Sequence, residues 1–369
     1  MKKIVITGAN GIIGKNLLAQ LQFGQKLPVE TITRGDAEAD RINKLRDAEV
    51  IFHLAGVNRP NDVAEFETVN TDFTQWIVKT MEGFGKPYKL VYTSSTQATL
   101  DNPYGKSKLA GEEALQSLIQ HGESVIYRLP GVFGKWCRPN YNSVVATYCY
   151  NIANGKPIEV RDPSFGLTLV YVDDVVEAFV NELDKPVQQG KVEFNDIPVK
   201  YSITLGELAE VLQSFKNNRT SLMLPAVGKP LEKALYSTYL SYLPTDAFSY
   251  PLTLRTDDRG SLYELLKTDG AGQIFLSTTF PGITRGNHFH HTKVEKFVVI
   301  NGEGVIQFRK IDGEEIIDYP VSGAEPTVVD IPPGYTHNIT NTGKDIMITL
   351  FWANEVFDPG TPDTYFLKV

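Results

Sequence analysis

The chain holds 369 residues, more than one typical domain, so two domains are expected. With 42% hydrophobic and 22% charged residues the composition is that of an ordinary water-soluble protein, and a net charge of -8 argues against general nucleic-acid or anionic-membrane binding. Cys137 and Cys149 are too few for a disulfide framework; with no signal-peptide core and no 18-residue apolar run, a cytoplasmic protein is expected, with no membrane or nucleic-acid partner.

Lys3 to Thr7 is a short β-branched run, followed by Gly8-Ala9-Asn10-Gly11-Ile12-Ile13-Gly14 and then the helix-like KNLLAQLQ. Strand, glycine-rich turn and helix point free backbone N–H groups at a pyrophosphate, and the helix dipole adds attraction. Side chains would block that approach, so Gly8, Asn10, Gly11, Ile12 and Gly14 are candidate dinucleotide contacts. A second strand, Pro28 to Arg34, ends about 20 residues after Gly14, at the position that chooses between NAD and NADP. Arg34 there suits the 2′-phosphate of NADP, which makes NADPH the expected cofactor. Val50 to Gly56, VIFHLAG, reads as a buried parallel strand that ends in Leu54, Ala55 and Gly56, where a cofactor can lie close. Its lone His53 reads as structural.

Leu90 to Ser95 continues the alternation and is followed by Pro103-Tyr104-Gly105-Lys106-Ser107-Lys108. Tyr104 and Lys108 are four apart and share one face of a helix. An ammonium beside a phenol is expected to lower the phenol's pKa from about 10, which lets it exchange a proton with a carbonyl or alcohol near neutral pH. Ser95, at the end of the preceding strand, is placed to hydrogen-bond the same oxygen.

Taken in this order, TGxxGxxG, HLAG, the TSS strand end and YxxxK make the first two thirds of the chain resemble the extended short-chain dehydrogenases/reductases, the group of nucleotide-sugar epimerases, dehydratases and reductases. The resemblance implies an α/β Rossmann-like domain, with Ser95, Tyr104 and Lys108 as catalytic triad, the last two also beside the cofactor. Arg128 to Gly134 is similar to the RPxNxFG segment that opens the family's substrate region, with Gly131 where Asn is usual. Arg128 is then a substrate contact, and Lys135, Arg138, Asn140 and Asn142 are candidates to hold a nucleotide diphosphate.

From Thr204 the chain reads as helix, and the stripe Leu231, Leu235, Tyr239 and Leu240 reads as packing or a subunit contact. A domain break is expected near 245, giving domains 1–245 and 246–369. Beyond Pro251 short strands separated by Gly, Pro and Asp turns predict an all-β domain. Three of the chain's six histidines, His288, His290 and His291, fall within four positions, with Glu295 just beyond. Gly282, His288, His290, Glu295 and Gly302, followed by Pro332 to Asn341 around His337, resemble the two motifs of the cupins, small antiparallel β-barrels that often hold a metal. That resemblance implies His288, His290, Glu295 and His337 as ligands of Zn or another divalent transition ion. It departs from the pattern at Pro326, where Gly is usual.

A second resemblance, to the cupin-fold keto-sugar 3,5-epimerases, claims the same stretch. Asp257 to Glu264 follows their DxRGxFxE, Thr284 to His290 their RGxHxQ, and Glu295-Lys296-Phe297 their QxKLV. Such enzymes remove a proton beside a ketone with a His base and with Arg or Lys near the developing enolate. They need no metal, so His288 is claimed both as ligand and as base. Arg259, Arg285, His291 and Lys296 are the polar groups left around it. A Rossmann-like reductase followed by such a cupin barrel resembles the bifunctional capsular and O-antigen enzymes of UDP-N-acetyl-L-fucosamine synthesis. The resemblance implies a UDP-sugar substrate, C3 epimerisation in the barrel and NADPH-dependent reduction at C4. A single-activity ketoreductase with a sugar-binding or structural barrel, and an NADP(H)-sensing regulator, are the alternatives; a homodimer is the prior for assembly.

Overall fold

The computed structural model describes residues 2–60 and 62–369, which fall into two units: the residues up to Gln213 with Ala234–Pro244, and Ser214–Lys233 with Thr245–Val369. In the first unit the apolar runs become β1 (Ile4–Thr7), β2 (Val29–Ile32), β3 (Val50–His53), β4 (Lys89–Ser95), β5 (Glu123–Leu129), β6 (Gly131–Phe133), β7 (Gly166–Tyr171), β8 (Val192–Asn195) and β9 (Tyr201–Thr204). Between and after them lie α1 (Ile12–Ala19), α2 (Glu38–Leu45), α3 (Phe73–Phe84), α4 (Pro103–Leu118), α5 (Val144–Ala153), α6 (Val172–Asn181), α7 (Leu205–Ser221) and α8 (Pro230–Leu240). The main sheet has the order β2-β1-β3-β4-β5-β8 and is parallel throughout. Every residue of β1, β3 and β4 is buried, as a sheet covered on both faces requires. Alternation divides the core: Ile4 and Ile6 pack with Leu17 of α1 and Phe179 of α6, while Val5 and Ile51 pack with Ile77 of α3 and Leu115 of α4.

β2 and β3 flank β1 on opposite sides, so the strand order reverses at β1 and a crevice opens beyond the carboxyl ends of β1 and β3. That crevice receives Gly8 and Leu54. The small sheet β6-β7-β9 adds a parallel and an antiparallel pair beside it in sequence. No helix among the described residues is long and apolar enough to cross a membrane.

The second unit is built from β10 (Arg255–Asp257), β11 (Gly260–Thr268), β12 (Gly272–Thr279), β13 (Thr284–Phe289), β14 (Glu295–Asn301), β15 (Glu303–Lys310), β16 (Ile316–Ser322), β17 (Val328–Ile331), β18 (Tyr335–Asn341), β19 (Met347–Ala353) and β20 (Tyr365–Phe366). They form two antiparallel sheets, β10-β11-β12-β19-β14-β17 and β16-β15-β18-β13-β20. Phe297, Phe351 and Ile331 from one sheet and Ile306, Phe308 and Ile339 from the other share one apolar cluster, the filling of a cupin-like β-barrel. Residues after α7 also belong to this unit: the Lys267 N–H donates to Leu222 O at 2.8 Å and the Leu224 N–H to Lys267 O at 2.7 Å.

Candidate active sites

In the first unit, Asn102 and Pro103 start α4: the Asn102 side chain accepts the Gly105 N–H at 2.8 Å and Pro103 occupies the first turn. This sets Tyr104 and Lys108 one turn apart, beside the end of β4. There Ser95 hydrogen-bonds Tyr104 and also accepts the Gln97 N–H at 3.2 Å. The structure changes one expectation. The Tyr104 pKa is raised, because burial outweighs the hydrogen bond from Ser95. The Lys108 ammonium is not spent on the phenol: it donates to Thr93 O at 2.9 Å and lies 5.0 Å over the Tyr92 ring, and burial lowers its pKa to about 8 against the opposing charge of Glu112. A phenol held protonated in this way suits proton donation.

The glycine loop faces the same cleft, which encloses about 1490 Å³. Gly8 has φ +73°, and a Cβ there would sit 2.5 Å from the Ala55 nitrogen; a Cβ on Gly14 would sit 2.3 Å from Gly8 O. The protein's own packing therefore requires both. Gly11 differs, since a Cβ there would meet only Gly8 O, at 3.4 Å. Its bare backbone on the cleft wall answers to no neighbour within the chain and fits the approach of a pyrophosphate. Gly56 lines the cleft beside Lys108, whose Nζ would be 3.1 Å from an added Cβ.

Asn10, Ile12, Leu54, Arg138, Asn140 and Asn142 also line this cleft. Three other candidates are placed elsewhere. Arg128 gives its fork to Glu112, Nε at 2.9 Å and Nη2 at 2.6 Å, beneath the Phe194 ring, and so ties the sheet to α4, outside the cleft lining. Lys135 pairs with Asp173 at 2.6 Å beside a separate hollow of about 580 Å³. Arg34 stands exposed at the end of β2, outside the cleft lining. The nearby acid is already occupied: Lys44, at 2.6 Å, and Thr33 hold the Asp36 carboxyl at about 2. His53 bridges Thr7 and Thr74 at 2.7 and 2.8 Å, and burial drops its pKa to about 3, a structural role. Arg59, Trp136 and Tyr141 were not among the candidates but line the cleft, and the Tyr141 hydroxyl donates to Arg59 O at 3.3 Å. The signal for the last two was aromatic residues inside the basic, Asn-rich KWCRPNYN.

The second site lies in the barrel. A bulge at Asn287, with φ +63°, shifts the register so that His288 sits opposite His337 on β18 and the two rings meet at 4.6 Å. His290 follows β13 and Glu295 opens β14. One donor atom from each of His288, His290, Glu295 and His337 lies within 4.8 Å of the other three. The Nδ1–H of His290 donates to Asp363 O at 2.5 Å, which leaves its Nε2 facing Glu295 Oε2, 3.2 Å away. His337 Nε2 is buried without a hydrogen-bond partner. Burial, with His337 beside it, lowers the His288 pKa to about 3; burial opposes ionisation of Glu295, while the Lys293 ammonium, 3.6 Å from Oε1, favours it. Three imidazoles and a carboxylate converging in a buried pocket are a donor set that a divalent cation completes.

The other barrel candidates divide. Lys296 follows Glu295 on β14 and therefore faces the opposite side, exposed and paired with Asp330, which removes it from the proposed chemistry. His291 is exposed and packs edge-on against Tyr365. Arg259 and Arg285 do come together, both on Asp257: Arg259 Nε at 3.0 Å and Arg285 Nη2 at 3.8 Å, with Arg285 also donating to Thr279 Oγ1 at 3.2 Å.

Residues 4–195 match the NAD dependent epimerase/dehydratase family and residues 255–365 the Polysaccharide biosynthesis C-terminal domain. A UDP-2-acetamido-2,6-beta-L-arabino-hexul-4-ose reductase of Pseudomonas aeruginosa strain PA103 is 45% identical over 100% of this chain and 99% of its own length. The crystal structure of the capsular polysaccharide assembling protein CapF from Staphylococcus aureus is 46% identical, covers 100% of both chains and superposes with a TM-score of 0.91. A structure of CapF with the inhibitor 3-isopropenyl-tropolone is 42% identical, again over 100% of both chains, with a TM-score of 0.87. The chain belongs to the NAD dependent epimerase/dehydratase family and carries the polysaccharide biosynthesis C-terminal domain behind its reductase-type fold.

Proposed function

We propose that this chain is a bifunctional nucleotide-sugar enzyme. The barrel, 246–369, epimerises C3 of a UDP-2-acetamido-2,6-dideoxy-4-keto-hexose. The Rossmann-like domain, 1–245, reduces C4 with NADPH to give UDP-2-acetamido-2,6-dideoxy-L-talose, in UDP-N-acetyl-L-fucosamine synthesis. The observation that carries the reading is the grouping of Ser95, Tyr104 and Lys108 on a cleft walled by the glycine loop, in a chain alike over its full length to a hexul-4-ose reductase. The reading places the enzyme in the cytoplasm, and closed dimers being the commonest assembly, as a homodimer.

The dinucleotide, when bound, supplies the hydride to C4. Tyr104, kept protonated by burial, gives its proton to the ketone oxygen. Lys108 steadies the tyrosinate that results, and Ser95 hydrogen-bonds and polarises the carbonyl. Arg34, with Asp36 already tied to Lys44, supports NADPH over NADH. In the barrel, His288, His290, Glu295 and His337 would hold a divalent ion, zinc in this reading, which supplies Lewis acidity or a structural clamp. The tropolone in the related structure fits an ion too, since its two adjacent oxygens are a chelating pair. A nitrogen committed to an ion is not a free base, so His288 is read as ligand.

The test is incubation with the 4-keto UDP-sugar in D₂O, with and without NADPH, followed by NMR. Label entering C3 without NADPH is the expected result. Four protein donors make a closed site, which favours one alternative, a reductase with a structural barrel; absence of exchange would select it. Tyr104→Phe is expected to lower NADPH oxidation by about 10²-fold or more, and a full rate in that variant would sink the reductase assignment.

A further inference from the structure

The last seven residues run along the free edge of β13. β20 pairs with it, His288 opposite Phe366 and Phe289 opposite Tyr365, and the Leu367 N–H donates to Asn287 O at 3.0 Å. The Thr336 hydroxyl donates to Leu367 O, and Arg309 Nη2 to Lys368 O at 2.6 Å. At the head of this segment Asp363 is used twice. Its carboxylate accepts three consecutive backbone N–H groups of the turn between β13 and β14, those of His291 at 3.0 Å, Thr292 at 2.7 Å and Lys293 at 2.8 Å, and also the Thr292 hydroxyl at 3.1 Å. Its carbonyl accepts Nδ1–H of His290 at 2.5 Å. Next to it, Thr364 Oγ1 accepts from Lys293 Nζ at 3.1 Å, and that ammonium stands 3.6 Å from Glu295 Oε1, the oxygen turned away from the histidines.

We infer that Asp363 is the positioning residue of the metal centre and that the C-terminal segment 363–369 presets three of its four donors: His288 by strand pairing, His290 through the Asp363 carbonyl, and Glu295 through Lys293 and Thr364. The inference rests on the metal reading proposed above. The turn that carries His290 has no secondary structure of its own, and three N–H groups converging on one carboxylate replace it. The carbonyl fixes both the tautomer and the rotation of the His290 ring, which leaves Nε2 as the donor. Without Asp363 the turn orders only when the ion binds, and the ordering cost then appears as lost affinity.

The experiment uses the full chain, freed of metal with a chelator and titrated with Co²⁺, whose visible spectrum reports the number and geometry of donors. Asp363→Ala is expected to weaken Co²⁺ binding by about 10- to 100-fold and to alter the spectrum. Asp363→Asn, which keeps an acceptor for the turn, should recover most of the affinity, and Lys368→Ala in the same segment should match the unaltered chain. Thr364→Val, which spares the turn, guards against a folding defect and should cost a few-fold in affinity with an unchanged circular dichroism spectrum. Unaltered affinity and spectrum in both Asp363→Ala and Thr364→Val would overturn the assignment, as would equal losses in Asp363→Ala and Lys368→Ala. If the unaltered chain takes up no Co²⁺, the metal reading itself fails, and this assignment with it.

Discussion

Lys108 is buried, 4% exposed, and donates to Thr93 O at 2.9 Å, and burial lowers its pKa from 10.5 to about 8. That fall corresponds to roughly 3 kcal/mol against the folded state while the amine is charged. The unfolded chain keeps the proton up to about 10.5 and the folded chain releases it near 8, so the penalty is full below 8 and fades as pH rises through that window. Lys108→Met is accordingly expected to raise the melting temperature at pH 7, to lose that advantage by about pH 10.5, and to lose reductase activity. Thermal melts across pH check it, and an advantage independent of pH would refute the electrostatic cause. Arg128→Ala should act on stability: Glu112 is 1% exposed and would be left unpaired, a cost of about 3 kcal/mol. A lower melting temperature with little change in the KM for the sugar nucleotide is expected; the reverse pattern would restore Arg128 as a substrate contact. Arg128 and Lys296, two of the candidates placed away from the sites, differ in how far the sequence shows this. Lys296 was legible as outward-facing from the period of a strand once Glu295 faces in, whereas the Arg128–Glu112 pair joins a strand to a helix sixteen positions earlier, and nothing in the local sequence announces it.

The elements that positioned the sites were legible where one local rule sufficed. The TGxxGxxG turn joined β1 to α1, the YxxxK segment fell on α4, and the apolar run of VIFHLAG became β3. In β16, Asp318 and Pro320 interrupt any apolar alternation, as an edge strand permits. The order of the parallel sheet and the bulge in β13 depend on which strands meet, and no segment carries that alone. The bulge makes a prediction at this scale. Asn287→Gly, which accepts φ +63° without strain, should retain the ion, and Asn287→Val should cost about 1–2 kcal/mol. Loss of the ion from Asn287→Gly, measured by elemental analysis, would show that the Asn287 side chain and not the backbone turn sets the site.

For the molecule as a whole, the chemistry fixes an order. The C4 ketone that acidifies the C3 hydrogen is the group the reductase consumes, so epimerisation has to precede reduction. The two units carry separate apolar cores, and the His288–His290–Glu295–His337 set belongs wholly to the second. An ion bound there stabilises only what must fold to hold it, by about 4 kcal/mol when free ion exceeds Kd a thousandfold. Removing it with a chelator is therefore expected to lower one of two calorimetric transitions and leave the other in place. The same treatment should stop deuterium entry at C3, while the chain still oxidises NADPH with a 4-keto sugar supplied in the epimerised form. A single transition moving as one, or loss of NADPH oxidation with the epimerised sugar, would mean that the metal supports the whole chain and not the barrel alone.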